Sequence, residues 1–571
     1  MNPFAVGALV IGALTAQVPS PTPPPTPPPL STPMPSASPS AEASPASAPL
    51  TADPASVAIA PGGFVDVTIV NASGDLAVTL DQNLVTVAPN QTTHVIHVTA
   101  SEKTGTDTMH VTDQSGALIA VPIRVAPYGG TLAQILSLNV TGRPADGDWL
   151  TAQIRDLVRR NTQLQPGAQA TYAAPAASPL PSGAHTSVVV PVQIAGGANF
   201  LDVAGSTTVN VTNMTLDPFV PSLLFYDDDP ERITGDGLLY HATIEPGTPV
   251  RLYYYHDSDA AQHRLILMLT ATSQEATPVH VIAATGGPNL DVMTVGHNVS
   301  RNYILSKQHN QGVVIDLPTG GDYPLLDVTF GGGAGVAGSV DLRVLGGGPV
   351  DVSLLAVPPN ADADAIAQIG IQAPLAKDGH NRTGIFKIGG DYGHAYRNYV
   401  AGGPDVSLIY GDRGPSGAGA EADRDGGDYG VLQTIAFSLN NPTDKPAIAY
   451  LYERPIGGIV RSTFFLGGVL VEMGCVRDAT QRYQITSYAL AAGASVPVTV
   501  ATMTDGGSNY PIEIGVTAAP PLATTPALNA ADGCFPKAVP SSGPSREASS
   551  AATPVPGPTV VPSATPSLMK L

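Results

Sequence analysis

At 571 residues and a formal net charge of −20, the chain is too long for one core and too acidic for nucleic acid. Its 26 Lys and Arg are scattered and form no basic stripe, which disfavours nucleic acid and an anionic membrane surface alike. Charged residues are only 13%, and 60 Gly with 56 Pro favour short strands and frequent turns over a helical enzyme.

The chain opens on an apolar run from Phe4 to Ala16, h-region length and too short to span a membrane. Small residues at Ala13, Thr15 and Ala16 offer a cleavage site, so 1–16 is read as a signal peptide, although its start lacks Lys and Arg. Residues 17–54 are a Pro/Ser/Thr-rich linker of extended, polyproline character. No transmembrane helix is expected in the mature chain.

Residues 55–127 alternate with period two through Val65, Val67 and Ile69, Leu76, Val78 and Leu80, then Ile119, Val121, Ile123 and Val125. Turn signals separate these runs, which predicts an Ig-like β-sandwich. The stretch from Gly105 through Asp107, Met109 and Val111 to Asp113 resembles bacterial Ig-like repeats and the N-terminal domain of pilus secretins.

Residues 128–216 predict a small α+β unit. Leu150, Ile154, Leu157 and Val158 share one helix face, Asp146-Gly147-Asp148 can cap it, and Arg155, Arg159 and Arg160 read as a solvated face. Residues 217–358 and 359–518 predict two related β-sandwiches. Met268-Leu269-Thr270 and Thr277 to Val281 parallel Phe437-Ser438-Leu439 and Lys445 to Ala449, and Gly320 to Leu325 parallels Gly493 to Val498, at an offset near 170 residues. Residues 519–571 are a Pro/Ala/Ser-rich tail expected to be disordered. The expected fold class is mainly β: tandem β-sandwich modules, one small α+β unit and disordered tails. The segments Tyr226 to Ile233, Arg251 to His256 and Thr504 to Pro511 resemble uncharacterised exported bacterial β-rich proteins. That resemblance implies localisation and fold, and carries no activity.

Motifs for chemistry are sparse. Gly333 to Gly338 satisfies GxGxxG, but an alternating strand follows where a helix N-terminus is needed, so it reads as a turn. Gly414 to Ala418 fails the GxSxG pattern at its last position, and no HExxH exists. Two acidic clusters read first as solvated loops and second as candidate Ca²⁺ sites, Asp227, Asp228 and Asp229 in one and Asp423, Asp425 and Asp428 in the other. Tyr253 and Tyr255 share a strand face and predict cross-strand packing, since the single Trp149 lies by the helix, away from them. Cys475 and Cys534 are expected to pair, closing the start of the tail onto the last module.

These readings predict a secreted, periplasmic or cell-surface modular protein that binds or supports without catalysis. Its partners would be extracellular proteins or polysaccharides, with no cofactor beyond Ca²⁺. The alternatives are a secreted polysaccharide hydrolase using a carboxylate pair and a component of a pilus or secretin assembly.

Overall fold

A computed structural model describes residues 48–380, 382–390, 392–412, 414–415, 425–520 and 523–524. The signal-peptide reading, most of the linker, nearly all of the C-terminal tail, Asp423 and Cys534 lie outside the described residues.

The first unit contains β1 (Thr51–Asp53), β2 (Val57–Ile59), β3 (Phe64–Val70), β4 (Ala77–Leu80), β5 (Val85–Asn90), β6 (Val95–Ala100), β7 (Gly105–Thr112) and β8 (Leu118–Val125). They form two four-stranded sheets, β1-β3-β6-β5 and β2-β8-β7-β4. Val67, Ile69, Ile96, Val98, Met109, Val111, Val121 and Ile123 fill the space between them, and Val67, Ile69, Val121 and Ile123 among them belong to the period-two runs. Strand β1 begins inside the stretch read as linker and pairs with β3. Asp107 explains part of the Gly105–Asp113 pattern, because its carboxylate accepts from the amides of Gln82 and Leu84 at 2.8 Å each and closes the β4–β5 turn.

The second unit holds β9 (Gly130–Leu132), β10 (Ile135–Thr141), α1 (Gly147–Arg160), β11 (Thr162–Leu164), β12 (Gln169–Tyr172), β13 (His185–Ala195) and β14 (Val203–Asn213). Asp146 caps α1 by accepting from the Trp149 amide at 2.9 Å, and Leu150, Ile154 and Val158 are its buried stripe. The arginines are not simply solvated. Asp156 pairs with both Arg159 and Arg160, and Arg160 donates to the Pro324 carbonyl of the next unit at 3.0 Å.

The third unit comprises β15 (Leu223–Asp227), β16 (Arg232–Ile233), β17 (Gly237–Ile244), β18 (Val250–Ser258), β19 (Gln262–Ala271), β20 (Thr277–Asn289), α2 (Val292–Gln308), β21 (Gly312–Leu317), β22 (Asp322–Gly331), β23 (Gly335–Val344), β24 (Val350–Val357), α3 (Ala363–Gly370) and β25 (Thr383–Lys387). The fourth comprises β26 (His394–Val400), β27 (Val406–Tyr410), β28 (Leu432–Asn440), β29 (Ala447–Pro455), β30 (Val460–Leu466), β31 (Val469–Val476), β32 (Tyr483–Leu490), β33 (Ser495–Met503) and β34 (Ile512–Thr517).

The α+β unit is not a separate sheet. Strand β10 pairs with β21, so β12-β13-β14-β10 continues directly into β21-β20-β23-β18-β15-β25 as one eleven-stranded sheet that includes β16. Strand β25 lies beyond residue 358 yet pairs with β15 of the third unit.

The last two units repeat one another. Strands β18-β23-β20-β21 and β27-β34-β29-β32 have the same order, antiparallel throughout. The facing sheets also correspond: β17-β24-β19-β22 in one, β26-β28-β33 in the other. Strands β17 and β19 each run antiparallel to β24 and are therefore parallel to one another, and β26 pairs parallel with β28 directly. The repeats differ in two places. Among the described residues the second has no counterpart of β24. It also carries the β30–β31 hairpin where the first carries α2.

Helix α2 is a correction to the expectation of a purely β repeat. It is buried on two sides, by β20 and β23 of its own repeat and by β30 and β33 of the next. A helix packed on two sides, with Asn298, Asn302 and Gln308 left exposed, loses the one-sided apolar stripe that marks a surface helix. Its sequence VMTVGHNVSRNYILSKQ shows only a weak stripe, which is why the pattern does not betray it.

Candidate functional site

The chemistry-bearing side chains gather where the two repeats meet. Tyr253 and Tyr255 face this junction with Leu224, Tyr226, Val295, Tyr303, Phe386 and Met503, while Tyr254 faces the sandwich interior. The predicted alternation therefore holds, and the shared face is packed rather than open. Rings run across the junction in series. Tyr226 stacks on Tyr253 at 5.8 Å, Tyr253 on Tyr429 at 6.3 Å, and Tyr429 meets Tyr510 edge-on at 6.3 Å. Gly430 permits this, because a Cβ there would stand 2.6 Å from that of Tyr253.

Asp227, Asp228 and Asp229 are all buried, at 0%, 6% and 2% exposure, so they are not a solvated loop. They point to different surroundings. Asp227 lies 3.3 Å from His256 Nε2, whose Nδ1 is 2.9 Å from the Pro230 carbonyl. Burial opposes charging His256, yet Asp227 outweighs it and raises the imidazole above its ordinary value. Asp228 turns to the junction, accepting from Tyr226 Oη at 3.2 Å with Arg382 at 3.5 Å. Burial pushes its carboxyl up to about 8, against the pull of Arg382. Asp229 accepts from the Asp378 amide at 2.6 Å and is raised chiefly by burial.

Asp425 and Asp428 come from the other repeat. Asp425 accepts from the Tyr429 amide at 2.9 Å, and burial raises it well above the carboxylate range, with Asp428 and Asp228 adding to the rise. The two clusters, separate in sequence, thus lie near enough for the Asp228 charge to act on Asp425. Asp428 accepts from Tyr392 Oη at 2.6 Å, the Gly411 amide at 3.1 Å and Gln433 at 3.3 Å, and burial pushes it up to about 6. Among the described residues, Asp228 Oδ1, Asp425 Oδ2 and both Asp227 oxygens lack hydrogen-bond partners.

Around this patch, polar groups that sequence reasoning did not single out tie α2 to both repeats. His297 on α2 places Nδ1 2.7 Å from Asp505 and Nε2 3.0 Å from Glu472, both in the second repeat. Burial works against charging His297, but the two carboxylates raise its pKa overall. Beneath α2, Asp341 receives Arg251 at 2.7 Å, Lys307 at 2.6 Å and Tyr303 Oη at 2.8 Å, and Arg251 donates to the Gly430 carbonyl of the second repeat at 2.7 Å. These partners are 34 to 208 residues apart in sequence, so no local spacing could reveal them. At the margin, Glu231, Asp378 and His380 hold ligand-type atoms within 4.8 Å of one another, but Arg382 contacts Glu231 at 2.5 Å and Asp378 at 3.6 Å and supplies a cation there already.

The arrangement encloses its carboxylates and does not flank an open cleft as a pair acting on a polymer must. It can hold charge, a proton or a cation between two repeats. In the glycine-rich Gly333–Gly338 segment, Gly333 and Ala334 end a turn and Gly335 opens strand β23, so a strand follows where a helix N-terminus would be needed. Cys475 lies within β31.

No protein-family model and no curated protein sequence matches the chain. Among solved structures, an endo-fucoidan hydrolase from glycoside hydrolase family 107 is 11% identical, with a TM-score of 0.15, over 35% of this chain and 35% of its own length. The chain thus spans about a third of that enzyme. The D00-D0 domain of intimin is 10% identical over 28% of this chain and 98% of its own, with a TM-score of 0.13. The SGBP-B of the Bacteroides ovatus mixed-linkage glucan utilization locus, solved with a mixed-linkage heptasaccharide, is 9% identical over 52% of this chain and 70% of its own, also at 0.13. Likeness at this level carries no argument about function. No helix among the described residues is long and apolar enough to cross a membrane.

Proposed function

We propose that the chain is an exported modular protein that binds or supports without catalysis, its two sandwich repeats locked through α2 and the outer sheet face of the first as one rigid body. The observation that carries this reading is the junction itself, where α2, the tyrosine series and the Asp–His–Glu contacts join the repeats through buried groups. Rigid coupling of this kind suits a spacer or binding arm, and enclosed carboxylates do not suit turnover of a polymer. Ca²⁺ is the cation proposed for the junction. Asp228 and Asp425 each use one oxygen on the protein and leave the other unpartnered and buried, the arrangement in which a hard cation offsets the cost of two desolvated carboxylates. The test is incubation of the full chain with cell-wall and extracellular polysaccharides, measuring both retention on the polymer and release of reducing ends. Retention without release is expected. Release that disappears in Asp228→Asn would establish the hydrolase instead.

A further inference from the structure

Away from the junction, a cleft opens between α1 and the first repeat. The eleven-stranded sheet runs on past β22, the edge of the facing sheet, and α1 roofs the resulting wedge. The cleft has a volume of about 610 Å³, within the range of pockets that hold small organic molecules. Trp149 and Gln153 line it from the helix, Tyr323 from the edge strand, and Leu267 and Tyr254 from inside the sandwich. Tyr254 reaches its place because its cross-strand partner is a glycine. A Cβ on Gly338 would stand 2.4 Å from the Tyr254 hydroxyl and 2.5 Å from its ring, so the side chain lies flat over that position. This carries the hydroxyl across β23 toward Ala283 and Thr285 of β20, which line the same cleft. The hydroxyl is buried at the inner end and has no hydrogen-bond partner among the described residues. Leaving such a donor unpaired costs about 1–3 kcal/mol. Burial holds its pKa above the ordinary phenol value, so it remains a donor. At the mouth, Asp156 and Arg160 neutralise one another at 2.6 Å, and Asp316, which also lines the cleft, is exposed and keeps its charge hydrated.

We propose that this cleft binds a small uncharged amphipathic molecule, its apolar body against Trp149, Leu267 and Tyr323 and a hydrogen-bond acceptor at the Tyr254 hydroxyl. The proposal stands independently of the junction. Trp149 is the only tryptophan of the chain, so its emission reports the site alone. The probe is prodan, a neutral naphthyl ketone whose carbonyl accepts a hydrogen bond and whose absorption overlaps tryptophan emission. Titration into the full chain is expected to quench Trp149 saturably at one site. Tyr254→Phe is expected to weaken binding about five- to ten-fold, the worth of one buried hydrogen bond. Ala152→Phe, at an exposed position on the cleft mouth, is expected to abolish it without touching the core. Circular dichroism checks that both variants fold. Absence of saturable quenching, quenching retained in Ala152→Phe, or unchanged affinity in Tyr254→Phe each overturns the proposal.

Discussion

Replacing Gly296 by alanine tests the junction at its tightest point. A Cβ there would lie 2.0 Å from the Gly506 carbonyl oxygen, 2.2 Å from its nitrogen and 2.4 Å from its Cα. These are backbone atoms and cannot swing aside. Reaching ordinary contact near 3.4 Å requires α2 and the facing loop to separate by about 1.4 Å. The 2.7 Å contact between His297 and Asp505 cannot survive that separation, and Asp505 is fully buried. Overpacking costs about 1–3 kcal/mol and a buried charge-assisted hydrogen bond about 1.5–3 kcal/mol, while alanine returns about 1 kcal/mol of helix propensity. The expected net loss is about 3 kcal/mol, all of it at the junction. Urea unfolding followed by tyrosine fluorescence and circular dichroism should show one transition for both repeats in the wild type and two in the variant. A variant that keeps a single transition at an unchanged midpoint would refute the reasoning.

Acidity should stabilise the second repeat. Glu453 is fully buried, and burial pushes its carboxyl up to about 8, with Asp505 adding to the rise. Its folded pKa lies above its unfolded value, so its contribution is fully present below about pH 4 and lost as pH rises toward 8. Glu453→Gln is expected to flatten that part of the stability–pH curve and to gain on the order of 3 kcal/mol over wild type at pH 7, read by urea midpoints; an unchanged slope contradicts it. Millimolar Ca²⁺ is expected to raise Tm by a few degrees in the wild type and not in Asp228→Asn or Asp425→Asn, from about 1 kcal/mol of linkage; equal shifts in all three remove the junction site. Asp107→Ala is expected to cost the first unit about 2–4 kcal/mol, because the amides of Gln82 and Leu84 lose their acceptor; hydrogen exchange at those two amides reads it. Non-reducing peptide mapping is expected to yield a Cys475–Cys534 peptide, and free thiols at both positions overturn that pairing.

Local patterns were legible and long-range ones were not. Period two located β3, β4 and β8 of the first unit, and the Leu150–Ile154–Val158 spacing with its Asp146 cap located α1. The internal repeat was legible because it preserves order and spacing: β19 and β28 start at Gln262 and Leu432, and β20 and β29 at Thr277 and Ala447, each 170 residues apart. Helix α2 was hidden because it packs against both repeats and leaves only a narrow exposed edge at Asn298 and Asn302. The union of β10 with β21 was hidden because sheet edges carry no sequence mark when they are paired. Aspartate runs in turn-rich sequence read as solvated loops, and only packing shows Asp227 to Asp229 enclosed. The influence of Asp228 on Asp425 depends on how two repeats dock, which no spacing within either one encodes.

Hydrogen exchange of α2 in the intact chain measures the coupling most directly. Its amides, from Val292 to Gln308, face one repeat on each side. If the repeats form one body, these amides exchange only through the same global opening that releases the central strands β28 and β33, with the same dependence on urea. If α2 amides exchange several kcal/mol more easily than those strands, through a local opening insensitive to urea, the repeats are separate domains and the account of the junction is wrong.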